Sequence, residues 1–427
     1  MTISAGYRVK TLMLASGERL PVLVDGAGQP LFDPTIFALT QVRGKALASN
    51  TIGIVLRSVM AFHLFLDARG IDLDARLATG EILSLGEVED LARLCRRHLN
   101  ELPALLGEKP DVTPKVISLE KARMSAAPPA SKEMDPEVAA SRLRYIRMYL
   151  EWLALERQSR HSLAYPVAER LGNSSKQVID AINARLPKRS GRDALDQREG
   201  LPEDVQDEFL RVIDPRCKDN PWREQHARYR NALLMHWWLY LGVRLGEVLG
   251  VRVNDLALYH KEVTIHRRAD DQEDPRRYQP QTKTRARVLA LSETLLAETQ
   301  AYILNHRSAV KGARKHPFLF VASRTGAPLS TSAVGKLFRV LRKNCPWLPE
   351  TLTAHVLRHT WNDTFSKEME ENGVPPEIEQ QTRSELMGWN PNSGTAATYT
   401  RRYTRNKAKE VSLRLQEKLV NRGREDE

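Results

Sequence analysis

Several residues scattered through this chain are of the types that grip or transfer a phosphoryl group. Arg244 and Glu247 stand three apart in GVRLGEVLG, residues 242–250. The apolar run ALLMHWWLYL before them predicts one helix over 222–250 with Arg244 inside it. A guanidinium there needs a counter-charge or a bound anion, because stranding it in an apolar setting is costly. Glu247 is spaced to hold it, and taken alone the two form an ordinary structural ion pair. Lys283 lies in QTKTRARVLAL, 281–291, between two strand-like runs and near a hairpin tip from which a long side chain reaches a ligand. Alone it is one surface cation among Arg276, Arg277, Arg285 and Arg287. In HVLRHT, 355–360, helical spacing puts His355, Arg358 and His359 on adjoining positions of one face. Two histidines four apart also suit a metal. A zinc-protease helix, however, needs a glutamate after the first histidine, where this chain has Val356, and an arginine among the ligands repels a dication. The trio therefore reads as an anion site. Trp389, in LMGW, can donate only through its indole N–H and alone is a core residue. Tyr399 follows it in GTAATYTRRY, with Tyr403 four residues further on.

The elements that must position these groups fall into two halves. Arg8–Leu14 and Leu20–Asp25 are strand-like with Ser16 and Gly17 in the turn, so residues 1–40 are expected to form an N-terminal arm or hairpin. Ile52, Val55, Leu56, Val59, Phe62 and Leu66 recur at helical spacing over 51–69, and Gly70 is placed to end that helix. A capping box, Ser84 with Glu87, starts a second helix through Leu91, Leu94 and Leu99. SAAPPAS, 125–131, is a connector. Asp135 and Pro136 open a third helix carrying Arg142, Arg144 and Arg147, which are expected on its outer side, and a fourth is expected over 174–185. Residues 41–185 thus read as a small helical domain, and the polar stretch 186–200 as a linker. From 201 to 427 the pattern is mostly helical with one small antiparallel sheet: helices over 202–215, 292–305, about 330–343, 353–369 and 377–388, strands at 262–266 and twice within 279–291, and an amphipathic helix over 405–421 showing Val411, Leu415 and Leu419 on one face.

Composition narrows the function classes. At roughly 150 residues per domain, 427 residues suggest about two to three domains. Lys and Arg total 65 against 53 Asp and Glu, a net charge of +12, which favours a polyanionic partner without requiring one. No apolar run approaching membrane-spanning length and no apolar leader core are evident, so a secreted or membrane protein is not expected. Cys95, Cys217 and Cys345 form no metal-binding or disulfide pattern, which fits a reducing cytoplasm.

The ordered series Arg244, Lys283, His355, Arg358, Trp389, Tyr399, with the flanking text FLFVASRTGAPLS, HVLRHTWND, ELMGW and TYTRRY, resembles the tyrosine recombinase (phage integrase) family. The resemblance covers about 200–420, and the helical half resembles the family's core-binding domain in layout. Two features depart from the common pattern. Trp389 stands where the family usually has histidine, and the interval to Tyr399 is one residue longer, which keeps Tyr403 as a second nucleophile position.

The resemblance implies a mainly α fold, a helical DNA core-binding domain followed by an α+β catalytic domain. It implies a site-specific recombinase or integrase working without metal or cofactor. Arg244 and Arg358 would neutralise the non-bridging oxygens of a phosphodiester, with His355 and Trp389 adding hydrogen bonds. Lys283 would protonate the leaving 5′ oxygen, its own proton loosened by the neighbouring arginines. Tyr399 would be the nucleophile of a 3′-phosphotyrosyl intermediate, and Glu247 and His359 would orient the groups that touch substrate. Implied partners are double-stranded DNA, further copies of the chain in a tetramer on two DNA sites, and accessory DNA-bending or partner recombinase proteins. A relaxing topoisomerase of the same chemistry and a catalytically silent DNA-binding protein are the alternatives.

Overall fold

The structure, a computed structural model, describes residues 6–45, 47–99, 101–102, 134–159, 163–187, 200–282, 284–390 and 407–418. The connector 125–131 and most of the expected linker 186–200 lie outside the described residues. The chain is mainly helical with small antiparallel sheets, and it divides into two compact units, Met1–Leu14 with Arg19–Asp193 and Ala15–Glu18 with Ala194–Glu427.

The first unit begins with the expected hairpin. Strand β1 (Arg8–Met13) pairs antiparallel with β2 (Arg19–Val24), Arg8 opposite Val24. Leu23 is fully buried against the long helix α2 (Ser49–Arg69), so the hairpin shares the helical core of its unit. A short helix, α1 (Phe32–Phe37), adds Phe37 to that core. The periodic residues Ile52, Val55, Leu56, Val59, Phe62 and Leu66 of α2 are all buried, and Gly70 ends it at φ +62°. By length and apolarity α2 would pass for a membrane span, contrary to the expectation that no segment approaches one. Its apolar positions are spent on the core.

After α3 (Leu73–Thr79), Ser84 and Glu87 form the capping box that opens α4 (Leu85–Cys95). Next comes α5 (Pro136–Ser159), where Asp135 Oδ1 accepts the Glu137 N–H at 2.8 Å. Arg142 corrects one expectation, because it is buried. Its guanidinium donates to the carbonyl oxygens of Cys95 (3.1 Å) and Arg97 (2.8 Å), satisfying the end of α4. Helix α6 (Tyr165–Ala184) starts well before 174: Leu171 is buried in the core, and that packing overrides the poor helix propensity of Gly172.

The second unit is built around α8 (Gln225–Leu241), whose Trp237 and Trp238 are fully buried, with α7 (Glu203–Ile213) before it. Short helix α9 (Leu245–Gly250) leads into a sheet of order β3 (Leu256–Ala257), β4 (Glu262–Ile265), β5 (Arg287–Ala290), antiparallel throughout. Among the described residues only one of the two strands expected within 279–291 forms; Pro280 has no N–H for a ladder. Ser292 and Ser330 cap α10 (Glu293–Ala301) and α11 (Thr331–Asn344). Helix α12 (Ala354–Glu371) packs along α8, and α13 (Pro376–Met387) ends at Gly388, φ +64°. Residues 407–418 form a last helix, with Val411, Leu413 and Leu415 exposed; Leu419 lies outside the described residues.

Candidate active site

Helix α8 stops at Gly242 for two separate reasons. Its φ of +59° suits glycine, and a Cβ there would come within 2.6 Å of Trp361 Cδ2 and 2.8 Å of Met387 Cε. The expected helix 222–250 is therefore broken, and Arg244 sits in extended backbone as the residue before α9. Its main-chain N–H donates to Glu247 Oε2 at 2.8 Å. Its guanidinium Nη1 donates to Glu247 Oε1 at 3.4 Å and to the Met387 carbonyl at 3.5 Å. The Arg244 side chain keeps 33% of its surface exposed, so it is held from behind while its face stays open.

Glu247 is wholly buried and is the hub of the cluster. Arg287 grips it with Nη2 at 2.8 Å from Oε2 and Nη1 at 3.2 Å from Oε1, and the Thr284 hydroxyl donates to Oε1. Burial by itself would raise the Glu247 pKa. The hydrogen bonds and charge of Arg287, the charge of Arg358 and the Thr284 hydrogen bond outweigh that, and the pKa is lowered to about 2. The group is a carboxylate at any working pH.

Helix α12 supplies the second arginine. Arg358 is 1% exposed, donates through Nη1 to the Gly242 carbonyl, and lies 5.5 Å from the centre of the Trp389 ring. His355, one turn earlier, is exposed. His359 Nε2 is 3.3 Å from His355 Nε2 with the rings edge to face, so His359 meets the Nε2 tip of the exposed imidazole. Trp389 follows the left-handed turn at Gly388, is 4% exposed, and packs with Met387 and Trp361.

Arg244, Glu247, Arg358 and Trp389 thus come together, with His355 and His359 on the same helix as Arg358. Lys283, Tyr399 and Tyr403 lie outside the described residues. The neighbours of Lys283 are described, and both sides tie into α9. On one side the Gln281 carbonyl sits where a Cβ on Gly246 would be 2.4 Å away; on the other Thr284 bonds Glu247. Among the described residues no group of three or more His, Cys, Asp or Glu side chains converges as a metal site.

Two of the arginines taken as surface neighbours of Lys283 are buried. Arg276 pairs with Asp274 at 2.8 Å and donates to the Leu249 and Leu329 carbonyls. Arg287 was legible in principle: it is in phase with the inward Leu289 and Leu291, at the period of a strand. Arg285 joins it in fastening the sheet to the end of α13. Arg285 N–H donates to the Gly388 carbonyl at 3.1 Å, its Nη2 to the Trp389 carbonyl at 2.8 Å, and Arg287 Nε to the Leu386 carbonyl at 2.6 Å.

Compared with known proteins, residues 206–406 match the model of the phage integrase family. No curated protein matches the chain in sequence. Among solved structures it is similar to the Tn1549 transposon integrase in complex with circular intermediate DNA (21% identity, 59% of this chain and 80% of that one, TM-score 0.35). It is also similar to XerA recombinase (18%, 61% and 76%, 0.33) and to XerH site-specific recombinase bound to difH substrate in a pre-cleavage complex (15%, 77% and 85%, 0.37).

Proposed function

We propose that the chain, whose residues 206–406 match the phage integrase family, is a tyrosine-type site-specific DNA recombinase that cuts and rejoins duplex DNA through a covalent 3′-phosphotyrosyl link without a metal ion. One observation carries the reading. Arg244 and Arg358 are fixed to the two ends of a single turn, Arg244 by Glu247 and Arg358 by the Gly242 carbonyl, with Trp389 against Arg358. Two permanently charged forks beside an exposed imidazole suit the non-bridging oxygens of one phosphodiester.

In the proposed reaction Tyr399 Oη attacks phosphorus and the P–O5′ bond breaks. The phenolic proton leaves toward His355, and the departing 5′ oxygen takes a proton from the Lys283 ammonium. Rejoining reverses these steps with a different 5′-hydroxyl as attacker, so no ATP is required. The exposed Val411 and Leu415, one helical turn apart, suit docking on a further copy, consistent with a tetramer on two DNA sites that acts where DNA is, in the cytoplasm.

The test is a duplex of the element end, nicked just past the cleavage position, with denaturation-resistant adducts counted. Wild type gives an adduct in EDTA and Tyr399→Phe gives none, at unchanged DNA affinity. Loss of the adduct in EDTA ends the metal-free scheme. Loss in Tyr403→Phe but not Tyr399→Phe moves the nucleophile. A relaxing topoisomerase would instead reseal every cut on its own strand and never join the ends of two duplexes.

A further inference from the structure

Arg287 takes no part in the chemistry above, yet it is among the most deeply placed charges in the second unit. Its side chain is 2% exposed and its guanidinium is shared among three structures. It holds Glu247 of α9 through two nitrogens, the Leu386 carbonyl at the end of α13 through Nε, and the Thr284 hydroxyl at 3.4 Å. Thr284 is the residue next to Lys283, and its hydroxyl also reaches Glu247. On the other side of Lys283, the Gln281 backbone rests on Gly246, one residue before Glu247.

Gln281, two residues before the lysine, packs on Gly246, and Thr284, directly after it, bonds Glu247, so the chain on either side of Lys283 meets the helix that follows Arg244, and Arg287 is the charge that ties Thr284 and Glu247 together. A buried ion pair with satisfied hydrogen bonds does little for net stability compared with an apolar pair of the same size. Its value lies in direction: a carboxylate bound by a planar fork admits one geometry.

We propose that Arg287 is a positioning residue for leaving-group protonation: by locking Glu247 and Thr284 to the Leu386 carbonyl, it sets where Lys283 stands relative to the Arg244–Arg358 clamp. The proposal rests on the reading of Lys283 as general acid and extends it to a residue that touches no substrate. Arg285, bonded to the main-chain oxygens of Gly388 and Trp389 and 3.7 Å from Glu385 Oε2, holds the neighbouring turn instead.

The test uses the full chain and two nicked duplexes, one normal and one with sulfur in place of the bridging 5′ oxygen. A thiolate leaves without a proton, so a fault confined to proton delivery disappears on the sulfur substrate. Arg287→Lys should cleave the normal substrate at least about tenfold more slowly and the sulfur substrate within about twofold of wild type, at unchanged DNA affinity; the scale is that of acid catalysis. Thr284→Val, which removes only the hydroxyl beside Lys283, should show the same selective loss and decides the matter if Arg287→Lys does not fold. Equal slowing on both substrates, or no slowing on either, overturns the positioning role. Lys283→Ala run in parallel separates the two failures. If sulfur rescues Lys283→Ala but not the other variants, only the positioning role falls; if sulfur fails to rescue Lys283→Ala, the general-acid reading falls with it.

Discussion

Arg358 donates a hydrogen bond to the main-chain carbonyl of Gly242, two residues before Arg244. The arginine of one helix is thereby fastened to the turn that presents the arginine of another. The turn exists because Gly242 alone can take φ +59° while Trp361 and Met387 crowd its Cα. Clamp geometry and backbone geometry are one problem in this molecule.

Gly242→Ala should for this reason injure both stability and cleavage. The left-handed backbone costs a non-glycine residue about 1–2 kcal/mol, and the added methyl must also displace Trp361 or Met387. Thermal unfolding and the rate of adduct formation are the measurements. A variant with wild-type melting and wild-type cleavage would show that the turn is not under this constraint.

The two arginines should differ in what their removal does. Arg244→Ala and Arg358→Ala each slow cleavage by at least about a hundredfold, the scale of losing one oxyanion donor. Arg244 is a third exposed, so its removal leaves thermal stability nearly unchanged. Arg358 is 1% exposed against Trp389 and the Gly242 carbonyl, so its removal also lowers the melting temperature. Matched stability losses in the two variants would contradict the difference in burial between the two side chains.

Much of this was legible in the chain. The spacing of Ile52 through Leu66, the Ser84–Glu87 box and the caps at Ser292 and Ser330 are local signals, and local hydrogen bonds and apolar stripes decide them. Arg244, His355, Arg358 and Trp389 could be singled out by residue type and order. The break at Gly242 was missed because a glycine inside an apolar run looks like a tolerated helix residue, and its reason, Trp361 and Met387, lies more than a hundred positions away. The same holds for Arg142 and Arg276. An arginine that satisfies carbonyls at Cys95 or Leu249 cannot be told by sequence from one facing water.

Glu247 gives a pH signature. Its carboxyl binds a proton near 4.5 when unfolded and only near about 2 in the fold, so between those values the unfolded chain holds more protons. Its contribution is complete above about pH 5 and is lost as the pH falls toward 2. Glu247→Gln removes that dependence and leaves Arg287 without its counter-charge. The variant should be markedly less stable than wild type at pH 7, and the gap should narrow by pH 3. Denaturant midpoints followed by tryptophan fluorescence measure it, and a gap of constant size from pH 7 to pH 3 would contradict the assignment.

His63 should make the first unit acid-sensitive in a different window. It lies on α2 among the rings of Tyr7, Phe62 and Tyr149, with centroids 5.8–6.1 Å away, and its Nε2 is sealed from solvent. Burial, only partly opposed by the charges of Asp67 and Asp74, lowers its pKa from 6.5 to about 4. Between those values the unfolded imidazole is protonated and the folded one is not, so stability falls as the pH drops from about 6.5 to 4 and levels off below. His63→Leu keeps an apolar side chain in the aromatic nest and has no proton to take up. Relative to wild type it should gain on the order of 2–3 kcal/mol between pH 7 and pH 4, most of the value of the full shift. Hydrogen exchange of α2 amides in the intact chain, compared at the two pH values, reads this locally. Equal loss of protection in wild type and variant would place the acid sensitivity elsewhere.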